Sequence, residues 1–263
     1  MASEEDFQAK LSACHAMLNT YLEDLKEDRQ VDEDKEFDSA QHQDKMEISN
    51  TFFRIIGFHH MIPSDAGKVY KSVYATMLRG LLQGAMSLCC SFMTEKPSSF
   101  MVPTAVLWET CKEIEQSAPA NNKAAVLRKW VSMRELVTDA KSEVQEIAEE
   151  EGERKVAKQC AEVVGLVTML FQKVERRLIP DSRSTTWLDR VYASAQKVAD
   201  EVDVLVSQLY DVEEDSIMRC HLQKFVDYVN DLVPIVQEEA KDEHAKWFEM
   251  FVTKVNSIAT KEE

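Results

Sequence analysis

Hydrophobic positions recur every three or four residues along almost the whole chain, the spacing of α-helices that bury one face. Phe7, Leu11, Cys14, Leu18, Leu22 and Leu25 form the first stripe, preceded by Ser3 and Asp6 as an acidic variant of a capping box. A second helix carries Phe37, Ile48, Phe52, Ile55, Ile56 and His59 and ends before Pro63. A third, capped by Ser64, is expected to bury Val69, Val73, Met77, Leu81, Leu88 and Phe92. Gly80 and Gly84 lie four apart on it and so share a face, where a neighbouring helix can approach closely. Each glycine costs about 1 kcal/mol of helix propensity. Two prolines and two serines between Glu95 and Pro103 break the pattern.

The second half of the chain follows the same rule. A short fourth helix is expected from Thr104 to Ser117, with Val106, Leu107, Cys111 and Ile114, stopped by Pro119. Asn121 or Asn122 can cap a fifth that runs to Glu150. The sixth has the cleanest stripe, Val156, Cys160, Val163, Val167, Leu170, Val174 and Leu178, and Pro180 ends it. The seventh starts at Thr185 or Thr186 and carries Leu188, Val191, Ala195, Val198, Val202, Leu205 and Leu209. The eighth uses Ile217, Phe225, Val229, Leu232 and Val236, with Pro234 expected to kink or end it. The ninth carries Trp247, Phe251, Val255 and Ile258. Nine helices, several of them long, with no strand alternation predict an all-α fold of two antiparallel up-and-down bundles. The acidic cluster Glu149–Glu153 encloses Gly152 and marks the expected boundary. It divides an N-terminal five-helix bundle, 1–151, from a C-terminal four-helix bundle, 152–263. The alternative is one continuous bundle in which the fifth helix runs into the sixth.

Composition agrees with long helices: only six glycines and six prolines occur in 263 residues, about half the usual share. The formal charge of −16 changes the functional picture. Such a surface repels phosphates, and no run of five basic residues offsets it, so neither nucleic acid nor an anionic membrane surface is an expected partner. The longest apolar run, Val163 to Phe171, falls far short of the ~20 residues of a membrane span. Other proteins remain, and the stretch Glu23–Asp38, with nine acids and three bases, can steer a basic one. Six cysteines are scattered without a C-x-x-C spacing, and Ser3-Glu4-Glu5-Asp6 stands where a secretory leader would be basic and then apolar. A reducing, cytosolic or nuclear setting is expected.

Candidate chemistry is sparse. None of His15, His42, His59, His60, His221 and His244 follows a glutamate by three residues, so the ligand pairs of a di-iron bundle are missing. Neither a His-Glu-x-x-His run nor a Gly-x-Ser-x-Gly elbow occurs. His59 and His60 project about 100° apart on a helix and cannot chelate one ion together, so one is expected inside and the other outside. Cys89 and Cys90 suffer the same geometry and read as packing. No catalytic residue, metal ligand or cofactor is expected, and the chain is not expected to be an enzyme.

Two regions carry a family resemblance. The first comprises Val106-Leu107-Trp108-Glu109-Thr110-Cys111, then Asn121-Asn122-Lys123-Ala124-Ala125-Val126-Leu127, then Val137 to Glu146. The second is Glu201-Val202-Asp203-Val204-Leu205-Val206-Ser207-Gln208-Leu209-Tyr210. Together they resemble the cyclin-D-interacting (GCIP-like) family. The resemblance implies a two-bundle helical protein, distantly like vinculin and catenin bundles. It implies shuttling between cytoplasm and nucleus, binding to D-type cyclins and signalling adaptors, and restraint of cell-cycle progression. Trp108, Asn122, Lys123, Asp203 and Tyr210 are the candidate partner-binding residues in the matched stretches. Each also has a structural reading. Trp108 can anchor the short helix in a core or groove, Asn122 can cap the fifth helix, and Tyr210 can hydrogen-bond near a helix end. The alternative function is a structural or cytoskeletal linker of the vinculin or catenin sort. A ligand-binding or catalytic bundle would instead need a buried polar cavity.

Overall fold

The computed structural model describes residues 12, 15–20, 22–23, 47–93, 100–150, 152, 154–212, 214–241 and 243–261. Among them the chain is helical with no strand. Helix α1 is seen at residues 15–20 and 22–23. It is followed by α2 (Glu47–His60), α3 (Lys68–Met93), α4 (Met101–Ser117), α5 (Asn122–Glu150), α6 (Lys155–Arg177), α7 (Thr185–Asp211), α8 (Asp215–Gln237) and α9 (Glu243–Ala259). The expected stripe positions Phe7, Leu11, Cys14, Leu25 and Phe37 lie outside the described residues, as do His42, most of the acidic stretch up to Asp38 and the serines before Phe100.

The chain forms two compact units, and their boundary differs from the expected one. The first holds the described residues up to Ala66 and Tyr70–Pro119; the second holds Gly67–Val69 and the described residues from Ala120 onward. The division falls at Pro119, not at Gly152, and α5 belongs to the second unit. The reason lies in α5 itself. Val126, Trp130, Met133, Val137, Ala140, Val144 and Ile147 are all buried on it. They alternate steps of four and three, a heptad seam that faces partner helices along its whole length. Those partners are α6 and α7. Gly152 itself is an exposed turn residue between α5 and α6.

In the first unit, Leu18 of α1, Ile56 of α2 and Leu78, Leu82 and Ala85 of α3 make the core, with Leu107 of α4 packed against it. The buried row of α3 slips by one position from the expected stripe. Val69 and Val73 are buried as expected, but Leu78 and Leu82 take the places foreseen for Met77 and Leu81, which are half-buried. This helix is apolar on several faces, so periodicity alone does not choose the row. Phe92 is exposed and stacks on Phe100, with ring centroids 5.5 Å apart. The paired glycines do face a helix. A Cβ on Gly84 would lie 3.1 Å from Leu107 Cδ1, and one on Gly80 would lie 3.8 Å from Thr110 Cγ2. Helix α4 begins three residues earlier than expected. Pro103 sits in its first turn, where no intrahelical N–H is needed.

In the second unit α5 packs on α6 and α7, α7 on α8, α8 on α9, and α6 on α8 and α9. Five helices thus close in the order α5–α6–α9–α8–α7. Polar contacts fix their directions. At one end Lys123, at the start of α5, donates to the carbonyl of Pro180, just past α6. Trp187, at the start of α7, donates from Nε1 to the Ile235 carbonyl near the end of α8, at 2.6 Å. At the other end Arg154, before α6, meets Asp215 at the start of α8 and the carbonyls of Leu209 and Val212 at the end of α7. Gln159 donates to Ile258 and Lys261 at the end of α9. Successive helices therefore alternate in direction. Every stripe residue expected on α6 and α7 is buried. On α8, Ile217 is exposed and Met218 and Leu222 face inward instead. Pro234 does not end α8 at once; the helix runs three residues further, to Gln237.

Candidate protein-binding surface

The five candidate residues fall into three places. Trp108 stands on α4 in the first unit and is 74% exposed. That corrects its reading as a core or groove anchor. Helix α4 has two kinds of face. Pro103, Leu107, Thr110, Ile114 and Ser117 are half-buried along one side, at alternating steps of four and three. Met101, Ala105, Trp108, Lys112 and Glu115 form an exposed row on the opposite side, and Val102, Val106, Glu109 and Glu113 form a second row beside it. Val106 and Cys111, expected inside, are exposed. No residue of α4 is fully buried.

Asn122 and Lys123 lie together in the second unit, and both are committed to the fold. Asn122 is 5% exposed, which takes it away from any partner. It is not the cap of α5 either: Asn121 Oδ1 accepts from the Ala124 amide at 3.0 Å and fills that role. Asn122 Nδ2 instead donates to Asp189 Oδ1 at 3.0 Å. The same Asp189 carboxylate accepts from the amides of Lys68, at 2.7 Å, and Val69, at 3.2 Å. It thus satisfies two orphan donors at the N-terminus of α3, the role expected of Ser64, which sits instead in the 3-10 turn Ser64–Ala66. Gly67 between them has φ +107 and no room for a side chain, since a Cβ there would overlap the Asn122 amide. Sequence gave no sign of Asp189, because its donors are 120 and 121 residues away.

Asp203 and Tyr210 share the outer face of α7, seven residues apart, with Ser207 between them; Tyr210 is 64% exposed. The inner face of the same helix carries a buried acid, Glu201, whose Oε2 lies 2.8 Å from Lys224 Nζ on α8. Hydrogen bonding to Glu201 holds the Lys224 ammonium above its ordinary pKa. Two other groups are shifted by their surroundings. Burial pushes the Cys160 thiol up to about 12 and suppresses its reactive thiolate. Burial, and then neighbouring His60, lowers the pKa of His59, which is half-buried while His60 is exposed. Among the described residues no three His, Cys, Asp or Glu side chains are grouped to hold a metal ion, and no helix is long and apolar enough to cross a membrane.

Residues 37–150 match the family model described as "Grap2 and cyclin-D-interacting, N-terminal". Over that span the chain is similar to that family. The matched region contains α2, α3, α4 and α5, hence the exposed face of α4 as well as the seam of α5. The chain is also similar to the uncharacterized protein C22E12.18 of Schizosaccharomyces pombe, at 19% identity over 224 residues. That match covers 74% of this chain and 66% of the yeast protein, so the chain spans just under two thirds of that relative.

Proposed function

We propose that this GCIP-like chain is a non-catalytic interaction protein that binds D-type cyclins or signalling adaptors and restrains cell-cycle progression, acting in cytoplasm and nucleus. The match of residues 37–150 to the cyclin-D-interacting model carries this reading. Two features agree with it. The exposed apolar residues of α4 lie inside the matched span. The buried Asn122 and the half-buried Asp189 and Arg154 are spent on joining helix ends. Affinity capture with the purified full chain, followed by mass spectrometry, tests the reading. It predicts a cyclin or a cell-cycle kinase component, diminished by Trp108→Ala or Tyr210→Ala. Recovery of actin-associated proteins, together with pelleting on actin filaments, would replace it with the cytoskeletal linker.

A further inference from the structure

Helix α4 leaves its apolar residues on the outside. Met101, Ala105 and Trp108 stand at i, i+4 and i+7, with Val102 and Val106 at their side, and all five are exposed. The face opposite, through Leu107 and Thr110, meets the glycines of α3. Among the described residues, one side of α4 is therefore seated and the other is exposed. Continuing along the exposed rows, the residue types change sharply. After Trp108 come Glu109, Lys112, Glu113 and Glu115, all exposed. The last turn of α4 contains no basic residue to offset the negative end of the helix dipole. The surface thus couples an apolar half to an acidic half on one helix, in a chain of net charge −16.

We propose that this face of α4 binds a basic amphipathic helix of a partner protein. The inference rests on the interaction-protein reading above and adds the chemistry of the partner. Apolar anchors at i, i+3, i+4 and i+7 on the incoming helix cover Met101, Val102 and Trp108. Lysines or arginines flanking those anchors meet Glu109, Glu113 and Glu115, and the indole face of Trp108 offers a further cation contact. Charge selects among the other occupants. A second copy of this chain would bring acid against acid, and so would its own Glu23–Asp38 stretch. Membrane-surface helices carry basic flanks, which α4 does not have. With one helix face as the platform, the interface is small and its complexes are expected to be weak and transient.

The test uses the full chain and three labelled peptides of equal length, followed by fluorescence anisotropy. One peptide has a leucine stripe flanked by lysine and arginine; the second has the same stripe flanked by glutamate; the third scrambles the first so that no stripe remains. The first peptide is expected to bind saturably. Trp108→Ala weakens that binding by about tenfold or more, as for an aromatic anchor at the centre of an interface. Glu109→Lys combined with Glu113→Lys weakens it too and flattens its dependence on salt. Trp108 is exposed, so an unchanged melting curve for Trp108→Ala assigns the loss to binding. Equal binding of the scrambled or the glutamate-flanked peptide overturns the proposal, as does indifference to Trp108→Ala. A concentration-dependent dimer lost in Trp108→Ala also overturns it, making the face a self-interface. A D-type cyclin that binds wild type and Trp108→Ala alike removes this face as its site and leaves the regulatory reading standing. Peptide binding that needs Trp108, with no cyclin binding by either protein, does the reverse.

Discussion

Replacing Asp189 by alanine should loosen the start of α3 and the start of α5 together. Its carboxylate accepts from the Lys68 amide at 2.7 Å, the Val69 amide at 3.2 Å and Asn122 Nδ2 at 3.0 Å. Losing the helix-capping part costs about 0.5–2 kcal/mol. Withdrawing an acceptor from the part-buried Val69 amide and Asn122 side chain costs about 1–3 kcal/mol at most. The three bonds share one carboxylate and do not add independently, so a total of about 2–3 kcal/mol is expected. Urea unfolding followed by circular dichroism reads the total as a lowered midpoint. Native-state hydrogen exchange reads the local part, and the amides of Lys68 and Val69 should exchange about tenfold faster or more. A cycle with Asn122→Ala should show a coupling of about 1 kcal/mol between the two residues. If Asp189→Ala keeps the wild-type midpoint and leaves both amides protected, the carboxylate does not hold these helix starts and the reasoning fails.

Four further outcomes follow from other positions. Arg154→Ala should destabilise by about 2 kcal/mol, because it removes both the pair with Asp215 at 2.9 Å and the donors to the carbonyls that end α7; a thermal melt checks it. Gly80→Ala should be neutral or stabilise by up to about 1 kcal/mol, since its Cβ meets only Thr110 Cγ2 at 3.8 Å. Gly84→Val, which adds branches where Cβ already lies 3.1 Å from Leu107, should cost about 1–3 kcal/mol in the same melts. His59 has a lowered pKa in the fold, so the unfolded chain takes up the proton first. Its neutral form gives full stability above about pH 6.5, and stability falls as pH drops below that value. His59→Leu should flatten the melting temperature between about pH 7 and pH 5, and an unchanged slope would remove His59 as its source.

The parts of the fold that sequence revealed are those where burial follows a single clear stripe. On α6 and α7 the apolar row is flanked by polar residues, and all of its members are buried. On α3 and α4 apolar residues occur on more than one face, and the stripe reading fails there in two ways. It chooses the wrong row on α3, and it takes Val106, Trp108 and Cys111 for interior positions although they face outward. Periodicity shows that a helix has an apolar side; it does not show whether a partner helix exists to cover it. The unit boundary was misplaced for a related reason. A cluster of acids with a glycine looks alike whether it separates domains or turns between packed helices, and only the seam of α5 against α6 and α7 decides. Asp189 and Arg154 join helix ends through long-range contacts, which no local pattern can announce. Arg154 had one faint sign, as a basic residue directly after an acidic run.

Direct titration of the purified full chain with a purified D-type cyclin, by isothermal calorimetry, tests the regulatory reading most plainly. The account predicts saturable binding with heat that does not depend on any turnover, weakened in Trp108→Ala while the melting curve of that variant stays at the wild-type value. Absence of saturable binding by the folded wild-type chain would contradict the cyclin-binding role, whatever its helices resemble.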